Sequence, residues 1–386
     1  MPAKSRNGFW GATATLWGNH SYMFVFVVIF VAYILTLQWT GKTFNVGHVS
    51  SIIASQNTVI VGTMAIGMGL VIITGQIDLS VGSAMVLCSG VTAVVFNLTG
   101  GNILLTVLAA LAAGVVLGSV NGFLAAYANM PPFIVTLGTM LMYRSLALFG
   151  VRAIPSTITG SSSSQFSPLS TLPGYDFLRM KFGTGSLPIV HGFAIPYVSL
   201  LFGACVAAFV LIAANTKYGK AVYAVGSNAK AARLAGVHVE RIKASVFMVT
   251  GFLVGVASLI QVAKIGGVTP ASSGRSFELY AIAAVVLGGI AMAGGRGRIL
   301  GVLFGALSYC TINFIIVGIP ALTPDIQDTF QGLVLILVIL VQTAGPGLRE
   351  RLRPRRRLEA AVPAPATPSA PPATPPSPTP EPAKET

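Results

Sequence analysis

Residues 103–127 read ILLTVLAALAAGVVLGSVNGFLAAY, without one charged side chain. As a helix this stretch is about 37 Å long, more than the roughly 30 Å hydrocarbon core of a bilayer. Comparable apolar stretches lie on both sides of it, near 22–39, 55–74, 79–98, 133–150, 194–214, 244–263, 281–293, 299–317 and 329–343. The third, eighth and tenth are short or broken by glycine, which is tolerated at membrane depth only where protein or a polar cavity satisfies the backbone. The fold class is therefore all-α: a polytopic membrane protein of about ten transmembrane helices, some short or broken.

Composition agrees. Charged residues are 9% of the chain, against about 25% in a soluble domain, and the 43 glycines suit closely packed membrane helices. Cys88, Cys205 and Cys310 all fall inside apolar stretches and read as small buried hydrophobes, not as a disulfide scaffold or metal site. The formal net charge of +14 is distributed in a way that points to membrane orientation and not to nucleic acid.

With ten spans and an inside N-terminus, the inside regions hold Lys4, Arg6, Lys217, Lys220, Lys230, Arg233, Arg241, Lys243, Arg296, Arg298, six arginines of 349–357 and Lys384. The outside regions hold only Lys42, Arg152, Arg179, Lys181, Lys264 and Arg275. The positive-inside rule then places both termini in the cytoplasm and the polar segment 151–193 outside, as an irregular loop. The organisation expected is a cytoplasmic segment 1–21 with no removable leader, a membrane domain 22–343 interrupted by a basic cytoplasmic segment 215–243, and a tail 344–386. The tail opens with the basic run Arg349–Arg357, suited to anionic lipid, and continues Pro/Ala-rich and disordered.

Several spans carry glycine at i and i+4: Gly114, Gly118 and Gly122; Gly251 and Gly255; Gly301 and Gly305. Such positions let neighbouring helices approach closely and read as packing seams. A weak echo at an offset of 219 residues pairs Ala65, Gly69, Gly75 and Gly82 with Ala284, Gly288, Gly294 and Gly301, with both copies running in one direction.

The junction TGQIDLSVGS at 74–83 is sharper. Asp78 is costly near a membrane unless it faces water, a partner or a helix start. Gly75, Asp78, Ser80 and Gly82 are gating or helix-cap candidates, with Asp78 or Ser80 accepting N–H groups of the third helix. The polar residues inside spans are Gln56, Asn57, Thr63, Asn121, Thr139, Arg144 and Asn313. Some of them should line a route or join helices, with Asn57, Thr63, Asn121, Thr139 and Asn313 the route candidates and snorkelling to an interface the alternative for Arg144. Asp78 and Glu278 fall on opposite membrane sides and form no carboxylate pair. The four histidines are scattered, and no Gly-x-x-x-x-Gly-Lys-Ser/Thr phosphate loop occurs, so nucleotide-driven transport needs an ATPase on another chain. The absence of a mid-span Asp, Glu or His argues against proton coupling; sodium coupling through carbonyls stays open.

In the basic segment, Asn228 is a candidate N-cap for a short helix over Ala229–Leu234, and Gly236 its terminator. A helix of two turns is not stable alone, so it packs on its own domain or docks on another subunit.

Four ordered motifs carry a resemblance: GQIDLSVGS at 75–83, YAVGSN at 223–228, AARLAGV at 231–237, and ELYAIAAVVLGG at 278–289 followed by GGRG at 294–297. Over about residues 40–343 the chain resembles the membrane-spanning subunits of bacterial sugar ABC importers of the ribose/xylose/galactoside type, relatives of branched-chain amino-acid permeases. The resemblance implies a permease pair, expected as a homodimer, in the inner membrane. It also implies two cytoplasmic ATPase domains that bind ATP and Mg, and an external or periplasmic solute-binding protein docking around 151–193 and 264–280. This chain would hold no cofactor and no catalytic site. The ATPase-coupling residues it implies are Gly226, Asn228, Ala231, Arg233, Leu234, Gly236 and Val237. The family commonly has Asp where this chain has Tyr280, so no carboxylate role carries over there. Monosaccharide import is the function implied; amino-acid or nucleoside import, an ion-coupled carrier and a structural membrane subunit are the competing readings.

Overall fold

The computed structural model of the chain describes residues 21–161, 164–190 and 193–320, with scattered helical positions between 326 and 340. The expected N-terminal segment up to residue 20, most of the tenth span and the tail 344–386 lie outside the described residues.

Among the described residues the principal helices are, in chain order, α1 Ser21–Trp39, α2 Val46–Ala54, α3 Gly62–Ile73, α4 Val81–Leu98, α5 Ile103–Ala126 and α6 Pro132–Ala153, then α7 Tyr197–Asn215, α8 Lys217–Ser227, α9 Ala229–Leu234, α10 Val239–Ile265, α11 Phe277–Leu287 and α12 Ile299–Gly318. Of these, seven are long and apolar enough to cross a membrane. A bent pair, in which α2 meets Asn57–Ile73 at 49°, makes an eighth when counted as one broken span. Nine of the ten expected spans thus coincide with helices. The eighth of them is α11, whose 11 residues are too few to cross by themselves.

The bend has a local cause. Ser55 leaves helical geometry at ψ 143°, and a π-helical turn Asn57–Val61 restarts the helix. The freed Ile52 carbonyl accepts the Thr58 hydroxyl at 2.6 Å, so the break leaves it satisfied. Beyond the bend, all twelve residues of α3 are buried, the mark of a helix wrapped on every side.

Around α3 the helices meet backbone to backbone. A Cβ added to Gly114 or Gly118 of α5 would collide with the Gly251 or Phe247 carbonyl of α10, and one on Gly122 would lie 2.6 Å from the Ala244 carbonyl. Gly255 returns the contact at 2.5 Å from the Ala110 carbonyl. Gly301 and Gly305 of α12 sit equally close to the Gly288 and Ala284 carbonyls at the end of α11. Between helices that gain nothing from the hydrophobic effect in lipid, this close approach supplies the packing.

The segment 151–193 is more ordered than the irregular loop expected. It holds a single turn Ser156–Thr159, a π-helical turn Asp176–Gly183 and β1 Ser186–Val190, which pairs antiparallel with β2 Phe193–Pro196. One amide organises its first part: Asn97 Nδ2 donates to the Ile158 and Ser167 carbonyls at 2.7 and 2.9 Å, and Oδ1 accepts the Leu169 N–H at 2.8 Å. A sequence of breakers shows where a chain turns, but not which distant side chain holds the turn.

Gly118→Val should disrupt the α5–α10 seam, by about 1–3 kcal/mol or more if the helices separate. A thermal shift of the purified protein in detergent should then fall by several degrees. Gly138→Ala, where an added Cβ meets nothing within 4 Å, should leave it unchanged.

Candidate functional site

Two features stand out, one at an end of the bundle and one inside it. At the end, α8 and α9 form an angled pair. The Thr216 hydroxyl accepts the Gly219 N–H at 3.0 Å to open α8, and Asn228 Oδ1 accepts the Ala231 N–H at 3.0 Å to open α9. Each cap satisfies an N–H that the first helical turn leaves without a partner. Gly236, at φ +84°, reverses the chain, and the Val237 N–H returns to the Ala232 carbonyl at 3.0 Å. Val225, Ala232 and Val239 bury a small apolar cluster beneath α9. The outer side of α9 is left bare: Leu234 is 91% exposed. Arg233 pairs with Glu240 in full view of solvent, which adds little stability.

This pair is tied directly to the bundle core. At Gly226 a Cβ would collide with the carbonyl of Ile73, the last helical residue of α3. That same carbonyl accepts the Gly295 N–H at 2.8 Å. Ser227 Oγ reaches the Gly295 carbonyl at 3.4 Å, and Tyr223 donates its phenol to the Gly297 carbonyl at 3.0 Å. Burial raises the Tyr223 pKa above its ordinary value, so the phenol stays a donor at neutral pH. Gly294 rests on Gly75, both at positive φ. The motifs at 75, 223–237 and 294–297, far apart in sequence, therefore share one node. The two echoing helix pairs, α3–α4 and α11–α12, have their turns in contact there.

Inside the bundle, α4 begins beside the middle of α10. Asp78 Oδ1 accepts both the N–H and the hydroxyl of Ser80, at 2.9 and 2.7 Å, and Asn121 Nδ2 of α5 donates to Ser80 Oγ at 2.8 Å. Ser80 is the N-cap residue of α4, yet neither candidate side chain caps the helix; Asp78 folds onto the cap residue itself. Asp78, Ser80 and Asn121 border a residual cavity of about 10 Å³ with Gly118, Thr250 and Gly251, room for no more than one water.

Two expectations are corrected here. Asp78 and Glu278 do not lie on opposite sides: a Cβ on Gly82 would be 2.6 Å from Glu278 Oε2, so α11 starts next to the first turn of α4. The reason is a strap, residues 266–276, that enters the bundle after α10 and shortens α11. Of the two readings open for Arg144, snorkelling to an interface is the one that fails. Its guanidinium turns onto the strap and donates to the Pro270, Ser273 and Gly274 carbonyls at 2.8, 2.6 and 3.2 Å. Unpaired carbonyls inside the bundle are the stronger attraction.

Of the other route candidates, Thr63 and Thr139 give their hydroxyls to their own helices, at the Val59 and Val135 carbonyls. Asn57 and Asn313 are half-buried. Only Asn121 of the five bonds to another element through its side chain. Sequence reasoning misses the strap as a unit, although Gly266, Gly267, Pro270 and Gly274 with three serines and a threonine are breaker-rich for a passage between two helices. Among the described residues, no three His, Cys, Asp or Glu side chains gather to hold a metal ion.

The node and the strap both lie within residues 49–339, which match the family model "Branched-chain amino acid transport system / permease component". The chain belongs to this family. The xylose transport system permease protein XylH of Escherichia coli K12 is 31% identical over 366 residues, covering 83% of this chain and 92% of that protein. The ribose import permease protein RbsC of the same organism is 34% identical, covering 84% and 92%. RbsC of Bacillus subtilis is 34% identical over 72% of this chain and 80% of its own. No solved structure matches the chain.

Asn228→Ala should remove the α9 cap at a cost of about 1 kcal/mol. Amide exchange over 229–236 should quicken about fivefold while the spans keep their protection, and Asn228→Asp should restore it.

Proposed function

We propose that this chain is the permease subunit of an ATP-driven importer that carries a monosaccharide, a pentose such as ribose or xylose, across the bacterial inner membrane. The observation that carries the reading is the α8–α9 node: a capped, outward-facing helix with a bare Leu234, packed at its root against the end of α3 and bonded to the 294–297 turn that follows α11. The similarity to permeases named for xylose and ribose supports the substrate class.

In this reading both termini and α9 are cytoplasmic, and two copies of the chain form the pathway as a homodimer. α9 seats in a groove on each of two ATPase domains, which bind ATP and Mg. A solute-binding protein delivers sugar to the opposite end, near the hairpin β1–β2. When the ATPase domains close, α9 is displaced. Gly226 leaves no side chain to cushion its contact with α3, so the displacement passes through backbone to α3, the 294–297 turn and α11. The route then alternates between outward and inward opening. This chain performs no chemistry and holds no cofactor. Import of branched-chain amino acids, from the family's own description, is the second reading.

Uptake of labelled ribose or xylose should vanish in cells lacking the gene, return with it, and stop on ATP depletion at preserved membrane potential. Uptake indifferent to ATP would replace the importer with an ion-coupled carrier. Leu234→Asp should weaken capture of the ATPase subunit by tenfold or more, the equivalent of about 1.5–3 kcal/mol for one buried leucine. Arg233→Glu should act in the same direction. Both variants should reach the membrane in normal amount, and normal ATPase capture by both would overturn the role given to α9.

A further inference from the structure

The strap and the first turn of α11 present a charged strip where lipid would otherwise lie. Ser272 and Arg275 are exposed, Glu278 is half-buried and Leu279 is 46% exposed. Arg275 and Glu278 both fall within electrostatic reach of Arg144. Their position along the bundle follows from contacts. A Cβ on Gly82 would lie 2.7 Å from the Gly274 carbonyl and 2.6 Å from Glu278 Oε2. Gly82 is in the first turn of α4, about 24 Å by helical rise from the far end of that helix. That first turn packs beside Thr250 and Gly251, midway along α10, so the strip is well inside the span.

A charge at the centre of a membrane helix is strongly disfavoured unless it faces water, a partner or backbone acceptors. Arg144 has three backbone acceptors. Arg275 and Glu278 have no ion pair, since Arg233–Glu240 is the one ion pair among the described residues, and Glu278 has only its own backbone N–H and the more distant Arg144 charge. They therefore face water or protein, not lipid.

Building on the importer reading, we propose that this strip is a wall of the translocation pathway and that Glu278 and Arg275 touch the sugar in transit. A carboxylate accepts two hydroxyl hydrogens and a guanidinium donates to hydroxyl oxygens, so together they suit a neutral polyhydroxylated ligand. Arg144 is a positioning residue. Its three bonds hold the strap at this depth and thereby fix where Arg275 and Glu278 stand. Leu279, apolar and exposed beside them, offers the sugar's C–H face a surface without tight binding.

The test uses the complete importer in membrane vesicles and a membrane-impermeant cationic thiol reagent. Cysteine at position 275 (Arg275→Cys) is compared with cysteine at position 141 (Leu141→Cys), a residue 64% exposed midway along α6. Only thiolate reacts, and a thiol in apolar surroundings stays protonated, so the 275 site should react about 100-fold faster. Excess ribose or xylose should slow it. Glu278→Ala should reduce uptake about tenfold with ATP turnover retained, the loss typical of a charged hydrogen bond to ligand. Arg144→Gln should abolish sugar protection at 275, and Arg144→Lys should restore part of it. A 275 site as slow as the 141 site overturns the pathway wall even if the unmodified importer carries pentose. Fast reaction at 275 without sugar protection, together with full uptake by Glu278→Ala, overturns the sugar contact and leaves a water-facing or subunit-facing surface. If the unmodified importer carries no pentose while 275 still reacts fast, the sugar reading falls and the wall stands for another solute.

Discussion

Within a bilayer a backbone polar group has no water to turn to, and most of the irregular features of this chain are answers to that constraint. Where α2 breaks from α3, the Thr58 hydroxyl takes the Ile52 carbonyl. Where the strap enters the bundle, Arg144 takes three carbonyls at once. Where α4 starts inside the protein, the Asp78 carboxylate takes the Ser80 N–H and hydroxyl and Asn121 Nδ2 donates to Ser80 Oγ, while the buried Asn121 Oδ1 is left without a partner. Each break is allowed because a named side chain arrives to complete it.

The same constraint explains the node at Ile73. Its carbonyl is one of those a helix leaves open at its C-terminal end, and it is completed by the Gly295 N–H while Gly226 lies against it. Closure through backbone is stiff. A side chain at 226 would add rotatable bonds between α8 and α3, and would push them apart. In the proposed cycle that stiffness lets a movement of α9 reach α3 and α11 without being lost in rotamers. The bare Leu234 and the weak surface pair Arg233–Glu240 fit a surface kept for a partner rather than for the fold.

The strap ties the interior to this node. α11 runs from the strip bearing Glu278 to the turn whose Gly295 and Gly297 meet α8, so one short helix joins the proposed sugar-facing wall to the proposed motor-facing surface.

The sequence alone determined the class of fold, the places of nine spans and the start and stop of α9, because these depend on local quantities: apolar length, a capping Asn228, a Gly236 free to take positive φ. It also marked the glycine rows as packing positions, since a missing side chain has the same meaning wherever it stands, but not that the α5 row faces α10. Only the tertiary structure decided which carbonyls those glycines approach, that the amide of Asn97 anchors the 151–193 segment, and that α11 is a half-length helix fed by a strap. Sequence reasoning misplaces Arg144 and Glu278 for the same reason. Hydropathy reports how apolar a segment is, while the depth and direction of a charged side chain are set by partners distant in sequence, here the strap carbonyls and Gly82.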